Sequence, residues 1–195
     1  MIKNLRLPAA AATAPIIRIR DEEIGFEPNP DPEAWIFADF DRVFAELAAR
    51  SGSTRTTYDL FGHSAGGQIL SRLVLFRPQS RADRIVAANA GLYTLPDLMA
   101  PQPFGLKGSG VTKAMLREGF ATRLTLLLGE NDNSDEAGGT LLHTSIVDRQ
   151  GLGRLARGRH FYAEGRRQAQ ALGATFAWRL QTVPDVGHDF RRMTA

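Results

Sequence analysis

The segment Gly62-His63-Ser64-Ala65-Gly66-Gly67 limits the architecture of this chain more than any other feature. Before it, Thr56 to Phe61 (TTYDLF) is β-branched and aromatic, which predicts a strand. After it, Ile69, Leu70, Leu73 and Val74 recur at helical spacing, and Pro78 closes the run, which predicts a helix. A strand that turns into a helix within one or two residues must pass through a strained backbone, and larger side chains there would strike the strand or the helix. Gly62, Ala65, Gly66 and Gly67 are all small. Such a turn lifts the Ser64 hydroxyl to the carboxyl edge of a sheet and aims the N–H of Ala65, at a helix N-terminus, toward a developing oxyanion. A phosphate-binding loop fits poorly, because no Lys follows the glycines.

The remaining pattern alternates strands and helices. Pro15 to Arg20 (PIIRIR) reads as a short strand, and the acidic, Pro-rich stretch from Asp21 to Pro32 as a loop. Asp31 suits a helix N-cap and Pro32 the first helical position, with Ile36, Phe40, Val43, Phe44 and Leu47 forming an apolar face for packing against a sheet and Ser51-Gly52 ending the helix. Arg84 to Asn89 and the apolar run Leu124 to Leu128 predict buried strands. Leu152 to Leu172 reads as a weakly patterned helix interrupted by Gly158 and Gly165, and Phe176, Trp178 and Leu180 as a last strand before Pro184. The expectation is an α/β fold, a mostly parallel sheet flanked by helices, in one domain over 1–195. Residues 1–30 form an atypical N-terminal segment of it and 93–120 a cap region, a reading taken from position.

Composition excludes several classes. The chain has 195 residues and no cysteine, so disulfides and thiolate zinc sites are ruled out. Its net charge of +3 comes from arginines scattered along the second half, which does not make a nucleic-acid face. The basic start and the Ala9–Ala12 run are too short and too interrupted by Pro8 for a usual secretory signal, and no apolar run is long enough to span a membrane. Absent cysteines fit cytosol and periplasm alike; a cytoplasmic protein, with the periplasm as the alternative, without cofactor or metal is the expectation.

A serine hydroxyl needs a base, and the base needs an orienting carboxylate. Among four histidines, His188 in Val183-Pro184-Asp185-Val186-Gly187-His188-Asp189 follows the last strand, where a loop can swing an imidazole over the sheet edge. His63 reads as a packed or hydrogen-bonded residue pointing away from Ser64, and His143 and His160 as solvated. For the acid, Asp132 emerges just after the Leu124–Leu128 strand, with Asp135 and Glu130 as competitors. Asp185 and Asp189 flank His188, and side chains so close in sequence rarely turn toward it.

The segments YDLFGHSAGGQ (58–68), LLLGENDNSD (126–135) and VPDVGHDF (183–190) together resemble the nucleophile, acid and histidine regions of the α/β-hydrolase superfamily, in the manner of bacterial esterases and polyhydroxyalkanoate-depolymerase-like serine hydrolases. The resemblance runs from about Asp31 to the C-terminus. It implies a triad of Ser64, Asp132 and His188, with Ala65 as an oxyanion donor, cleaving a small carboxylic ester through an acyl-serine. The sequence departs from the family at its front. Only 55 residues precede Thr56, and no Gly-rich loop among them offers a second oxyanion donor, whose absence costs roughly 2.7–4 kcal/mol in a serine hydrolase. That departure motivates an alternative, a catalytically impaired hydrolase-like binding or interaction protein. It also leaves an open sheet edge suited to homo-oligomers. Either Pro15–Arg20 takes the missing strand's place, or a partner chain does, or the chain is part of a longer protein.

Overall fold

The computed structural model describes residues 17–20, 23–26, 31–133 and 141–194. They fall into two compact units, Met1–Thr56 and Thr57–Ala195.

In the first unit, β1 (Ile17–Arg20) pairs antiparallel with β2 (Glu23–Phe26), Ile17 opposite Phe26 and Arg20 opposite Glu23. The expected loop over Asp21–Pro32 thus contains a strand. Its Ile24-Gly25-Phe26 triplet is too short for periodicity to reveal, and pairing with the Ile-rich β1 supplies what local pattern does not. β1 pairs within this hairpin, in a sheet separate from the parallel one. Asp31 does cap, accepting the Glu33 N–H at 3.0 Å, but it caps a short 3-10 turn, Pro32–Ala34. The α-helix α1 (Ile36–Ser51) begins two residues later and ends at Gly52, whose φ of 67° is the left-handed stop that glycine accepts most readily.

The second unit carries a four-stranded sheet in the order β3 (Tyr58–His63), β4 (Ala82–Ala88), β5 (Arg123–Gly129), β6 (Arg179–Val183), with all pairs parallel. Helices α2 (Ala65–Phe76), α3 (Lys113–Ala121) and α4 (Arg154–Ala171) connect successive strands and lie side by side, with α3 between the other two. Leu70, Leu73 and Val74 of α2, Ile85 and Ala87 of β4, and Leu124, Leu126 and Leu128 of β5 are all buried, with α2 packed against β3 and β4 and α4 against β5. The alternation of buried and half-buried residues along β5 puts its Leu124, Leu126 and Leu128 on one face.

Gly158 and Gly165, which weaken the helical pattern in sequence, are where α4 touches its neighbours. A Cβ at Gly158 would fall 2.6 Å from Leu128, and one at Gly165 2.5 Å from the Trp178 ring. Trp178 donates its indole N–H to the Gly119 carbonyl at 2.8 Å and stacks on Phe161, which stacks on Tyr93. Phe176 and Trp178 stand ahead of β6, whose ladder starts at Arg179 opposite Thr125, so their alternation reports one-sided burial rather than strand pairing. Of the stretch 93–120, Leu95–Lys107 folds back on itself, with the Leu95 N–H on the Phe104 carbonyl and the Leu106 N–H on the Asp97 carbonyl, and Lys113 onward is helix α3.

Candidate active site

All the parts of the site lie where parallel strands end. β3 runs through Gly62 and His63 into Ser64, which has φ 57° and ψ −115° and bounds the first turn of α2. A serine held there costs of order 1–3 kcal/mol, and surrounding contacts must impose it. The Ser64 N–H donates to the Ala88 carbonyl at the end of β4 (2.9 Å), and the Ser64 carbonyl accepts the Gln68 N–H (3.1 Å). Two glycines make these contacts sterically feasible. A Cβ at Gly62 would lie 2.6 Å from the Gly66 backbone, and one at Gly67 2.6 Å from the Ala88 carbonyl oxygen. Serine at a helix boundary ordinarily caps the first turn, yet the Ser64 hydroxyl makes no capping bond. Ala65 opens α2, so its N–H is among the first-turn donors without an intrahelical acceptor.

The acid and the histidine meet. Asp132 follows β5, held by the Asn131 N–H on the Val186 carbonyl (2.9 Å) and its own N–H on the Gly129 carbonyl (3.1 Å). Its side chain is fully buried, and Oδ2 stands 2.8 Å from Nδ1 of His188, itself 5% exposed. A proton on Nδ1 shared with the carboxylate leaves Nε2 as the lone-pair nitrogen. The competing acids are engaged elsewhere. Glu130 accepts from the Thr182 hydroxyl (2.7 Å), and Asp189 accepts the N–H groups of Arg191 and Arg192. Asp135 lies outside the described residues. His143 pairs with Asp148 at 2.8 Å, and His160 is exposed on α4.

His63 joins the elbow to the histidine loop. Its ring centroid is 4.5 Å from that of His188, so the residue preceding Ser64 packs on the imidazole that Asp132 holds. Burial pushes the His63 pKa below its ordinary value, and the nearby His188 and Arg154 push the same way against Asp132 and Asp189.

Two further residues, not singled out in the sequence, complete the arrangement. Arg154, at the start of α4, donates through Nη1 to Asp132 Oδ1 at 3.1 Å. Asn89, fully buried with φ 45°, links several strand ends: its N–H goes to the Leu127 carbonyl, its Oδ1 accepts the Gly129 N–H (2.8 Å), and its Nδ2 donates to the Gly187 carbonyl (3.2 Å). Nδ2 also stands 3.5 Å from His63 Nε2. Among the described residues no cluster of His, Asp and Glu could hold a metal ion, and no helix is long and apolar enough to cross a membrane.

A parallel sheet with helices between its strands, a strained serine turn after β3, and an acid and a histidine after the following strands make up the fold of the α/β hydrolases. Within that fold the chain resembles bacterial esterase- and depolymerase-like members. Poly(aspartic acid) hydrolase-1 from Sphingomonas sp. KT-1 superposes with a TM-score of 0.81 at 42% identity over 85% of this chain and 63% of that one. LpqC, a poly(3-hydroxybutyrate) depolymerase from Bordetella parapertussis, superposes with a TM-score of 0.79 at 38% identity over 86% of this chain and 56% of that one. The chain therefore spans less than two thirds of the length of either. No family model matches it, and no curated protein sequence does.

Proposed function

We propose that the chain is a serine hydrolase that cleaves a small carboxylic ester through an acyl-serine intermediate. The observation that carries this reading is the buried Asp132–His188 contact, with the His188 ring packed on the residue that precedes the strained Ser64. In the proposed reaction Ser64 Oγ attacks the ester carbonyl while His188 Nε2 takes its proton. The Ala65 N–H stabilises the oxyanion, and collapse of the intermediate expels the alcohol with the proton from His188. Water then enters, gives its proton to His188 and releases the acid, restoring Ser64. Asp132 fixes the imidazole tautomer and balances its transient charge. The two hydrolases named above, one named for poly(aspartic acid) and one for poly(3-hydroxybutyrate), support hydrolytic chemistry on this fold.

Ser64→Ala tests the assignment. Turnover of a p-nitrophenyl ester should fall to the background rate, and turnover that survives the change would sink it. The alternative, a catalytically impaired hydrolase-like binding or interaction protein, draws on the oxyanion side of the site, where Ala65 at the start of α2 is the one donor identified among the described residues. A stoichiometric fluorophosphonate adduct on Ser64 counts against that alternative.

A further inference from the structure

We propose that Arg154 is a positioning residue of this site, holding Asp132 Oδ1 so that Oδ2 is presented to His188, and that the N-terminus of α4 is the clamp that fixes the acid. The inference rests on the hydrolase reading above.

The contact is buried on both sides: the Arg154 side chain is 4% exposed, and that of Asp132 is 0% exposed. One carboxylate oxygen is committed to a permanent cation 3.1 Å away, and the other to the imidazole at 2.8 Å. A carboxylate held on one oxygen only can rotate about its Cβ–Cγ bond. Held on both, it cannot turn without breaking a charge-assisted bond. The main chain is gripped as well. The Leu155 N–H, a first-turn donor of α4, goes to the Asp132 carbonyl at 3.0 Å. Gly153 packs so tightly on the next residue that a Cβ there would lie 2.8 Å from the Asn133 backbone. Three successive residues, 153 to 155, thus hold the acid loop from backbone and side chain together.

Helix energetics alone do not place an arginine here. A cation at the first helical position faces the positive end of the helix dipole, and the first turn of α4 has no acidic residue to offset it. Burial adds a desolvation cost. The carboxylate of Asp132 acts against both costs, so the position makes physical sense as part of the acid's environment. The arginine's planar donor fork also fixes direction, which a lysine ammonium does not.

Two variants test the proposal on p-nitrophenyl ester turnover, with cooperative urea unfolding as the check of folding. Arg154→Lys keeps the charge and loses the fork. Arg154→Met loses both. If Arg154 positions the acid, kcat falls roughly tenfold in Arg154→Lys and about 100-fold in Arg154→Met, with KM within twofold of wild type, as expected when a catalytic group is displaced by up to an ångström. A low-field proton resonance of the His188 Nδ1–H is the expectation for the wild type, and it moves upfield in both variants. A folded Arg154→Lys with wild-type kcat and an unmoved resonance would overturn the proposal, as would a loss confined to KM. If neither variant folds, Arg154 is a structural cation and the proposal fails. Survival of turnover in Ser64→Ala would defeat the hydrolase reading instead. Abolished turnover in Ser64→Ala beside an unaffected Arg154→Lys defeats the positioning role alone.

Discussion

Gly67→Ala adds one methyl to the third residue of α2, on the side that meets the end of β4, and its expected effects on stability and on reactivity differ in size. The new Cβ would fall 2.6 Å from the Ala88 carbonyl oxygen and 3.3 Å from the Ala88 carbon and nitrogen, against 3.4 Å for ordinary contact. The obstacle is backbone, so α2 and β4 must part by roughly 0.8 Å, the overpacking that costs about 1–3 kcal/mol. Alanine recovers up to ~1 kcal/mol of helix propensity. The net loss in urea unfolding should therefore be modest, at about 0–2 kcal/mol. Reactivity should suffer more, because the same Ala88 carbonyl receives the Ser64 N–H at 2.9 Å and fixes the turn. Moving the proposed nucleophile by close to an ångström should cost about 100-fold in rate. The assay is the rate of fluorophosphonate labelling of Ser64 beside the unfolding midpoint. Gly66→Ala is the control for stability, since its methyl would meet nothing within 4 Å. A folded Gly67→Ala that labels at the wild-type rate refutes the argument that this glycine sets the serine's position.

Other expectations follow from the same contacts. Arg157→Met strips the donors that a fully buried guanidinium supplies to the carbonyls of Gly91, Gly151 and Leu142 and to Asp148, so unfolding stability should drop by about 3–5 kcal/mol, and a loss under 1 kcal/mol would contradict that role. His63 should make the protein acid-sensitive. Its pKa is lowered by folding, so the unfolded chain takes up the proton first, and stability falls as the pH drops below about 6.5 and on through the folded value. His63→Gln should lose less stability than wild type between pH 7.5 and 5.5 in denaturant titrations, and equal losses would remove His63 from the account.

Local chemistry made the elbow readable: a β-branched run, four small residues around a serine and a helical period all lie within 20 residues. The Asp132–His188 contact was readable because chain order in a parallel sheet puts successive loops at one edge, although 56 residues separate them. Arg154 and Arg157 were not readable. They sit in RLARGRHFYAEGRR, where five arginines within 14 residues look like a solvated basic face, and only the tertiary fold turns these two inward. Asn89 was hidden for a related reason. At the end of RIVAAN it reads as the last residue of a strand, and neither its left-handed backbone nor its distant partners leave a mark in local periodicity.

Position 89 has a chemical specification of its own. Its side chain must accept from the Gly129 N–H on one side and donate to the Gly187 carbonyl on the other, from a backbone with positive φ. Aspartate tolerates the backbone but, ionised, has no donor; leucine fills the volume and orphans both groups. Asparagine meets every demand at once. The ends of β4 and β5 and the loop that carries His188 are thereby registered to a single amide, with the elbow's His63 beside it. Moving the histidine loop away at that point means giving up the Nδ2–Gly187 bond and leaving a buried amide donor without that acceptor. Ser64, through the neighbouring His63, and His188, through the neighbouring Gly187, thus adjoin one buried amide and share a frame of reference.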